Sequence, residues 1–164
     1  MQLIRCTQKL LKEMGLQKYE LNATEPTFSY LGSWHANLLH IDGKKCILFV
    51  NDRTLFNFIV PNVKRQEIKN LSRIFYENLK YALSFDETLV KVQEKILREY
   101  TEVNYSITNS KKVLGYMNDL AFHYKHSILT EGGIHSALIP SIIIKLNHIT
   151  CQWACLSTSI RVKR

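Results

Sequence analysis

Trp34-His35-Ala36-Asn37-Leu38-Leu39-His40-Ile41-Asp42-Gly43-Lys44-Lys45-Cys46-Ile47-Leu48-Phe49-Val50-Asn51 reads as two strands around a tight turn. From Trp34 to Ile41 the side chains alternate: Trp34, Ala36, Leu38 and His40 fall on one face, and His35, Asn37, Leu39 and Ile41 on the other. Asp42-Gly43 is a pair that a type I′ turn favours, because both central positions need positive φ. Lys44 to Asn51 then returns as the partner strand. Asn51-Asp52-Arg53 is the next turn, and Thr54 to Val60 gives a third strand that Pro61 ends. The stretch 34–60 is therefore expected as an antiparallel meander.

Upstream, Gln2 to Cys6 is a short apolar strand. The helix after it has Thr7 as its cap, Gly15 as its end, and Leu10, Leu11 and Met14 as its buried side. Residues 16–33 read as an irregular connection. Downstream, Ile68, Leu71, Phe75, Leu79 and Ala82 recur at helical spacing over Glu67 to Leu83. Ser84 and Glu87 match a capping box, and Leu89, Val92, Ile96 and Tyr100 mark a second helix of about the same length. Val103, Tyr105 and Ile107 alternate as a further strand. Ser110 caps a long amphipathic helix that Gly132-Gly133 stops, while Pro140 to Asn147 fits either a proline-opened helix or a strand. The expected fold class is α+β: an antiparallel sheet of the 34–60 meander plus strands near 2–6 and 103–107, with helices packed mainly on one face. Residues 1–148 form a single domain in this reading, and 149–164 a C-terminal tail.

Composition agrees with one globular core, since the 164 residues are 46% hydrophobic and 22% charged. Removing Arg161, Lys163 and Arg164 from the formal net charge of +8 leaves +5 for residues 1–160, a mild attraction to polyanions. Met1-Gln2-Leu3-Ile4-Arg5-Cys6 does not read as a secretory signal. The apolar stretch Leu138 to Ile144 is broken by Pro140 and Ser141 and is too short to span a bilayer. A cytoplasmic protein without membrane association is expected, with Cys6, Cys46, Cys151 and Cys155 reduced. Cys151 and Cys155 have no second pair at metal-like spacing, so no metal is expected. P-loop, G-x-G-x-x-G, G-x-S-x-G and H-E-x-x-H patterns are absent from the sequence, and no cofactor is expected.

Four runs carry a resemblance: Ile4-Arg5-Cys6-Thr7-Gln8-Lys9-Leu10-Leu11; Trp34-His35-Ala36-Asn37-Leu38-Leu39; Lys45-Cys46-Ile47-Leu48-Phe49 with Asn51-Asp52-Arg53-Thr54-Leu55-Phe56; and Leu114-Gly115-Tyr116-Met117-Asn118-Asp119-Leu120. Together they resemble a family of small prokaryotic proteins, domain of unknown function 6933. The similarity runs in order over residues 4 to 147 and is not recognised beyond Asn147. It implies a single α+β domain from a bacterium, archaeon or mobile element, and carries over no catalytic residue.

Candidate sites come from the residues alone. On the long helix, Val113, Met117, Leu120, Ala121, Tyr124 and Ile128 share an apolar arc, with Lys112, Tyr116, Asp119 and His123 on its flank. Asp119 and His123, one turn apart, have the spacing of a carboxylate that orients a general base, and His126 lies near the same flank. Asp52, at a turn between strands, is a further catalytic candidate. Phe122 and Leu129 lie opposite the apolar arc; cover by the C-terminal segment is the preferred explanation, and self-association as a homo-oligomer the other. Lys69, Arg73, Tyr76 and Lys80 align on the outer side of the 67–83 helix, behind Lys64-Arg65, as a track for a nucleic-acid backbone, interrupted by Glu77. His35 and His40 project to opposite faces of one strand and cannot share a metal. The leading expectation is a non-enzymatic binding or regulatory module acting on nucleic acid or a protein partner. The alternative is a small hydrolase or nuclease-like enzyme using Asp119 and His123, with Asp52.

Overall fold

Strand pairing dominates the computed structural model, which describes residues 2–21 and 29–149. Its strands are β1 (Gln2–Cys6), β2 (Trp34–Ile41), β3 (Lys44–Asn51), β4 (Asn57–Val60) and β5 (Val103–Ile107), in the spatial order β4-β3-β2-β1-β5. The meander forms as expected: β2 pairs antiparallel with β3, and β3 with β4. Asp42 and Gly43 sit at φ 50° and 67°, the positive values their turn demands. The wholly antiparallel expectation is corrected, however, because β1 pairs parallel with both β2 and β5 and the sheet is mixed. Long connections on either side of β1, through the residues up to 33 and through the helices before 103, let the chain re-enter from the same end of the sheet.

The helices are α1 (Gln8–Met14), α2 (Arg65–Ile68), α3 (Leu71–Leu83), α4 (Glu87–Val90), α5 (Gln93–Arg98), α6 (Lys111–Thr130) and α7 (Ile139–Ile149), with a 3-10 turn at Lys18–Glu20. Both expected middle helices break in two. Asn70, at φ −112° and ψ 60°, leaves helical geometry between α2 and α3, and Val92, at φ −113°, separates α4 from α5. The third strand starts at Asn57 rather than Thr54, because Leu55 adopts φ 59° in the preceding turn. Thr7 stands at the start of α1, yet its hydroxyl donates to Asn37 Oδ1 at 3.1 Å instead of capping the helix. Gly15 closes α1 at φ 80°, and Ser110 Oγ accepts from Val113 N–H at the start of α6. The segment opened by Pro140 is a helix.

Helices cover both faces of the sheet, which corrects the expected one-sided packing. Cys46 to Asn51 are all buried, so side chains of both parities on β3 need cover. On the face of Trp34, α3 supplies Phe75, whose ring lies 5.2 Å from those of Trp34 and Phe49 and 6.0 Å from that of Phe58. The pairs with Trp34 and Phe49 are edge-to-face, a geometry that adds about 0.5–1.5 kcal/mol each beyond burial. Trp34 Nε1–H donates to the Tyr100 hydroxyl at 2.9 Å, so the polar edge of the indole is satisfied inside the core. Helix α1 lies on the same face, its Lys9 and Glu13 reaching His40 and Lys45. On the opposite face α6 buries Val113, Met117, Leu120, Tyr124 and Ile128 against β2 and β3, while α7 packs on β4. Phe122 and Leu129 are 70% and 48% exposed. Of the C-terminal segment expected to cover them, the described part is α7, which leaves both exposed; residues 150–164 lie outside the described residues.

A polar pin fixes this second layer. Asn147 of α7 accepts from Asn57 N–H through Oδ1 at 3.0 Å and donates through Nδ2 to Asn57 O at 2.8 Å, acting as a one-residue strand partner for β4. Tyr124 of α6 donates its hydroxyl proton to Asn57 Oδ1 at 2.7 Å. Removing a partner strands the buried group it served, at about 1–3 kcal/mol per group. Asn147→Leu, which orphans both an N–H and a C=O, should therefore cost about 2–4 kcal/mol in urea denaturation, and Tyr124→Phe about 1 kcal/mol. The reverse order would show that α7 is anchored elsewhere.

Candidate functional site

The turn after β3 is built by Asn51. Its Oδ1 accepts from Arg53 N–H at 3.2 Å, Thr54 N–H at 2.9 Å and the Thr54 hydroxyl at 2.8 Å, while Nδ2 donates to Leu31 O at 3.0 Å. Asp52 N–H in turn donates to Ser33 O at 2.9 Å. This cage delivers the Asp52 carboxylate to the end of the sheet, where β1 and β2 place Arg5 and His35 side by side in register. Asp52 Oδ2 lies 3.3 Å from Arg5 Nη1, and Oδ1 lies 3.4 Å from His35 Nε2. Asp52 is partly exposed, whereas Arg5 is 6% and His35 0% exposed.

Charge balance explains the state of this cluster. Arg5 and Asp52 already neutralise each other, so a proton on His35 would add an uncompensated charge in a buried place. Burial accordingly pushes the His35 pKa below its ordinary value, the neighbouring Asp52 carboxylate opposes that shift, and Arg5 adds to it. The chemistry available is that of a neutral imidazole held beside a partly exposed carboxylate. Sequence reading had isolated Asp52 but not its partners, because alternation within each strand does not reveal that β1 lies parallel to β2.

The other predicted catalytic residues lie apart from this cluster in their contacts. Asp119 and His123 are both exposed on the flank of α6, and neither has a hydrogen-bond or ion-pair partner among the described residues. The His123 ring stands edge-on to Phe122 at 5.8 Å. Lys112 and His126 are exposed and Tyr116 is half-buried. No described contact joins Asp119 or His123 to Asp52. Among the described residues, no group of three His, Cys, Asp or Glu side chains is placed to hold a metal ion. Cys6 and Cys46 are free and buried, and burial raises both thiols, which keeps them protonated. Cys151 and Cys155 lie outside the described residues.

Of the expected basic track, Lys69 and Lys80 are exposed, Arg73 Nε donates to Glu77 Oε1 at 2.9 Å, and Tyr76 is half-buried against the core. A denser cluster of cations was not visible in sequence. Glu13 of α1 bonds Lys45 of β3 and lies 3.7 Å from Arg65 of α2, and Lys9 reaches His40 at 3.2 Å. Lys12 and Lys64 adjoin these positions in the chain and are exposed. The hydrogen bond from Lys45, with the charges of Lys45, Arg65 and His40, holds the Glu13 carboxyl below its usual range. Lys45 and Arg65 thus meet one carboxylate, and Lys9 joins them through His40, drawn from three segments far apart in sequence.

Among the described residues, no helix is long and apolar enough to cross a membrane. A family model described as a domain of unknown function, DUF6933, matches residues 3–157. The match continues ten residues past Asn147, where the resemblance read from the sequence had stopped. No curated protein and no solved structure matches the chain.

The buried histidine makes a pH-dependent contribution with a definite sign. Its folded-state pKa is lowered, and the unfolded value is about 6.5. The unfolded chain therefore takes up the proton first as pH falls. Stability from neutral His35 is fully present above about pH 6.5 and declines below it, by at most about 1.4 kcal/mol per pH unit. Urea denaturation between pH 7.5 and 5.5 should show this slope, and His35→Gln should flatten it; an unchanged slope in that variant would assign the effect to other groups.

Proposed function

We propose that this chain, which belongs to the DUF6933 family, is a non-enzymatic binding module for nucleic-acid backbone. The observation that carries this reading is the convergence of α1, β3 and α2, which brings Lys45 and Arg65 to the carboxylate of Glu13 and Lys9 to His40, with Lys12 and Lys64 exposed beside them in the chain. Helix α2 packs against both α1 and α3, so Lys69, Arg73 and Lys80 extend the same basic layer. Paired positive charge of this density releases condensed counterions from a phosphate chain on binding, which gives affinity without reading bases. Half-burial of Tyr76 argues for contact with phosphates rather than stacking on its ring. A cytoplasmic setting is part of the reading, and the free thiols of Cys6 and Cys46 support it.

Fluorescence anisotropy with a labelled 20-base-pair duplex supplies the test. Five phosphate contacts predict a slope of log K against log salt of about −4.5. The combined Lys9→Ala, Lys12→Ala and Arg65→Ala variant should bring this to about −2 and weaken binding more than tenfold at low salt. Arg73→Ala with Lys80→Ala should have a smaller effect, because Glu77 already occupies Arg73. A wild-type protein that fails to bind at low salt, or a triple variant with an unaltered slope, would remove this function.

A further inference from the structure

Strand β4 is an outer strand of the sheet, and its pairing fixes which peptide groups face away from β3. Asn51 N–H donates to Phe56 O at 2.8 Å, so these two form a hydrogen-bonded pair. Alternation then turns the backbone groups of Phe58 and Val60 toward β3, and those of Asn57 and Ile59 outward. The outward groups of Asn57 are taken by the Asn147 carboxamide, which confirms the assignment. Ile59 presents the same donor and acceptor two residues further on. Ile59 is 2% exposed, and no described residue outside the sheet hydrogen-bonds to it. Buried peptide groups left in this condition cost about 1–3 kcal/mol each and call for a partner.

Ile59 lines a cleft of ≈ 380 Å³ between the end of α3 and the segment leading into α7. That volume lies in the range of small-molecule sites, about 300–1,000 Å³. Phe58, Pro61, Ala82, Ile139 and Ile143 give it apolar walls, and Asn78, His135 and Ser136 add polar atoms. Asn78 Nδ2 is committed to Ile74 O at 2.8 Å, which leaves its Oδ1 as an acceptor. Among the described residues, lysine, arginine, aspartate and glutamate are all absent from the lining. A charged ligand would lose its hydration there without gaining a counter-charge, so the walls select a neutral one.

We propose that this cleft binds a neutral small molecule with an apolar, ring-sized body and an adjacent amide N–H and C=O, as in a primary carboxamide or lactam. The amide pairs with Ile59 in the way the Asn147 carboxamide pairs with Asn57. An added peptide strand fits less well, because strand addition needs a run of open edge residues. Asn147 occupies the position before Ile59, and Pro61 after it has no N–H to give.

Benzamide is the probe, titrated into the ¹⁵N-labelled full chain and followed by amide chemical shifts. The Ile59 amide should shift and saturate at millimolar benzamide, a concentration in keeping with a ligand of this size. Benzoate, which carries charge and lacks the donor, should leave it unmoved. Ala137→Trp places bulk in the cleft from an exposed lining position and should abolish the shift without changing the urea midpoint. Should that variant unfold, Tyr81→Ala, which removes an exposed wall, should weaken the response instead. An Ile59 amide indifferent to benzamide, equally sensitive to benzoate, or undisturbed by the folded variant overturns the proposal. Shifts along residues 57–60 on adding an acetylated pentapeptide N-methylamide, with none from benzamide, overturn it in favour of strand addition.

Discussion

Burial of β3 on both of its faces is the constraint from which the rest of the architecture follows. From Cys46 to Asn51 every side chain is buried, although successive side chains point in opposite directions. A strand of this kind has to lie inside the sheet with a helical layer above and below it. Phe49 meets Phe58 and Phe75 on one side, where Trp34 completes an aromatic cluster. On the other side α6 must lie down, and its apolar arc is the surface that does so. Each layer then needs its own polar fastening, which Trp34 and Tyr100 provide in one and Asn57, Asn147 and Tyr124 in the other.

Insertion of β1 beside β2 has the largest chemical consequence. Parallel pairing sets Arg5 against His35 across the strands, and the turn at Asn51 carries Asp52 to both. A cation, an anion and a neutral imidazole are thereby held at one end of the sheet with no net charge. The same pairing leaves α1 on the aromatic face, where Glu13 meets Lys45 and Arg65. One charge-balanced cluster and one with two cations to a carboxylate thus arise from a single topological choice. The proposed attraction to polyanions is placed at the second because two cations there meet one carboxylate.

The edge strand shows how the fold manages unpaired backbone. Asn147 closes one residue of β4 with a side-chain amide, a device that uses the spacing of a strand partner without supplying a strand. Among the described residues Ile59 has no such device, and it faces a cleft whose described walls carry no lysine, arginine, aspartate or glutamate. The contrast between neighbouring outward positions, one served and one unserved, points to a ligand there.

Local chemistry was legible in the chain because it depends on residues close together. Alternation defined β2 and β3, Asp42-Gly43 their turn, Ser110 and Gly132-Gly133 the extent of α6, and the apolar arc the side that α6 buries. The run Ile47-Leu48-Phe49-Val50 also held the sign of two-sided burial, but an apolar run by itself does not say which helices cover which face. Asn70 and Val92 broke helices that periodicity joined, since side-chain spacing carries no record of a backbone angle. Of the candidate groups, Asp52 could be picked out by its turn, while its partners Arg5 and His35 could not; Lys9, Lys45 and Arg65 looked scattered until α1, β3 and α2 converged. Sequence by itself determined most of the elements, though not their breaks, together with the family and the excess of positive charge. Tertiary structure alone decided the parallel place of β1, the two helical layers and the neighbours of each charge, because pairing between segments far apart in the chain is set by which complete arrangement buries both faces of the sheet.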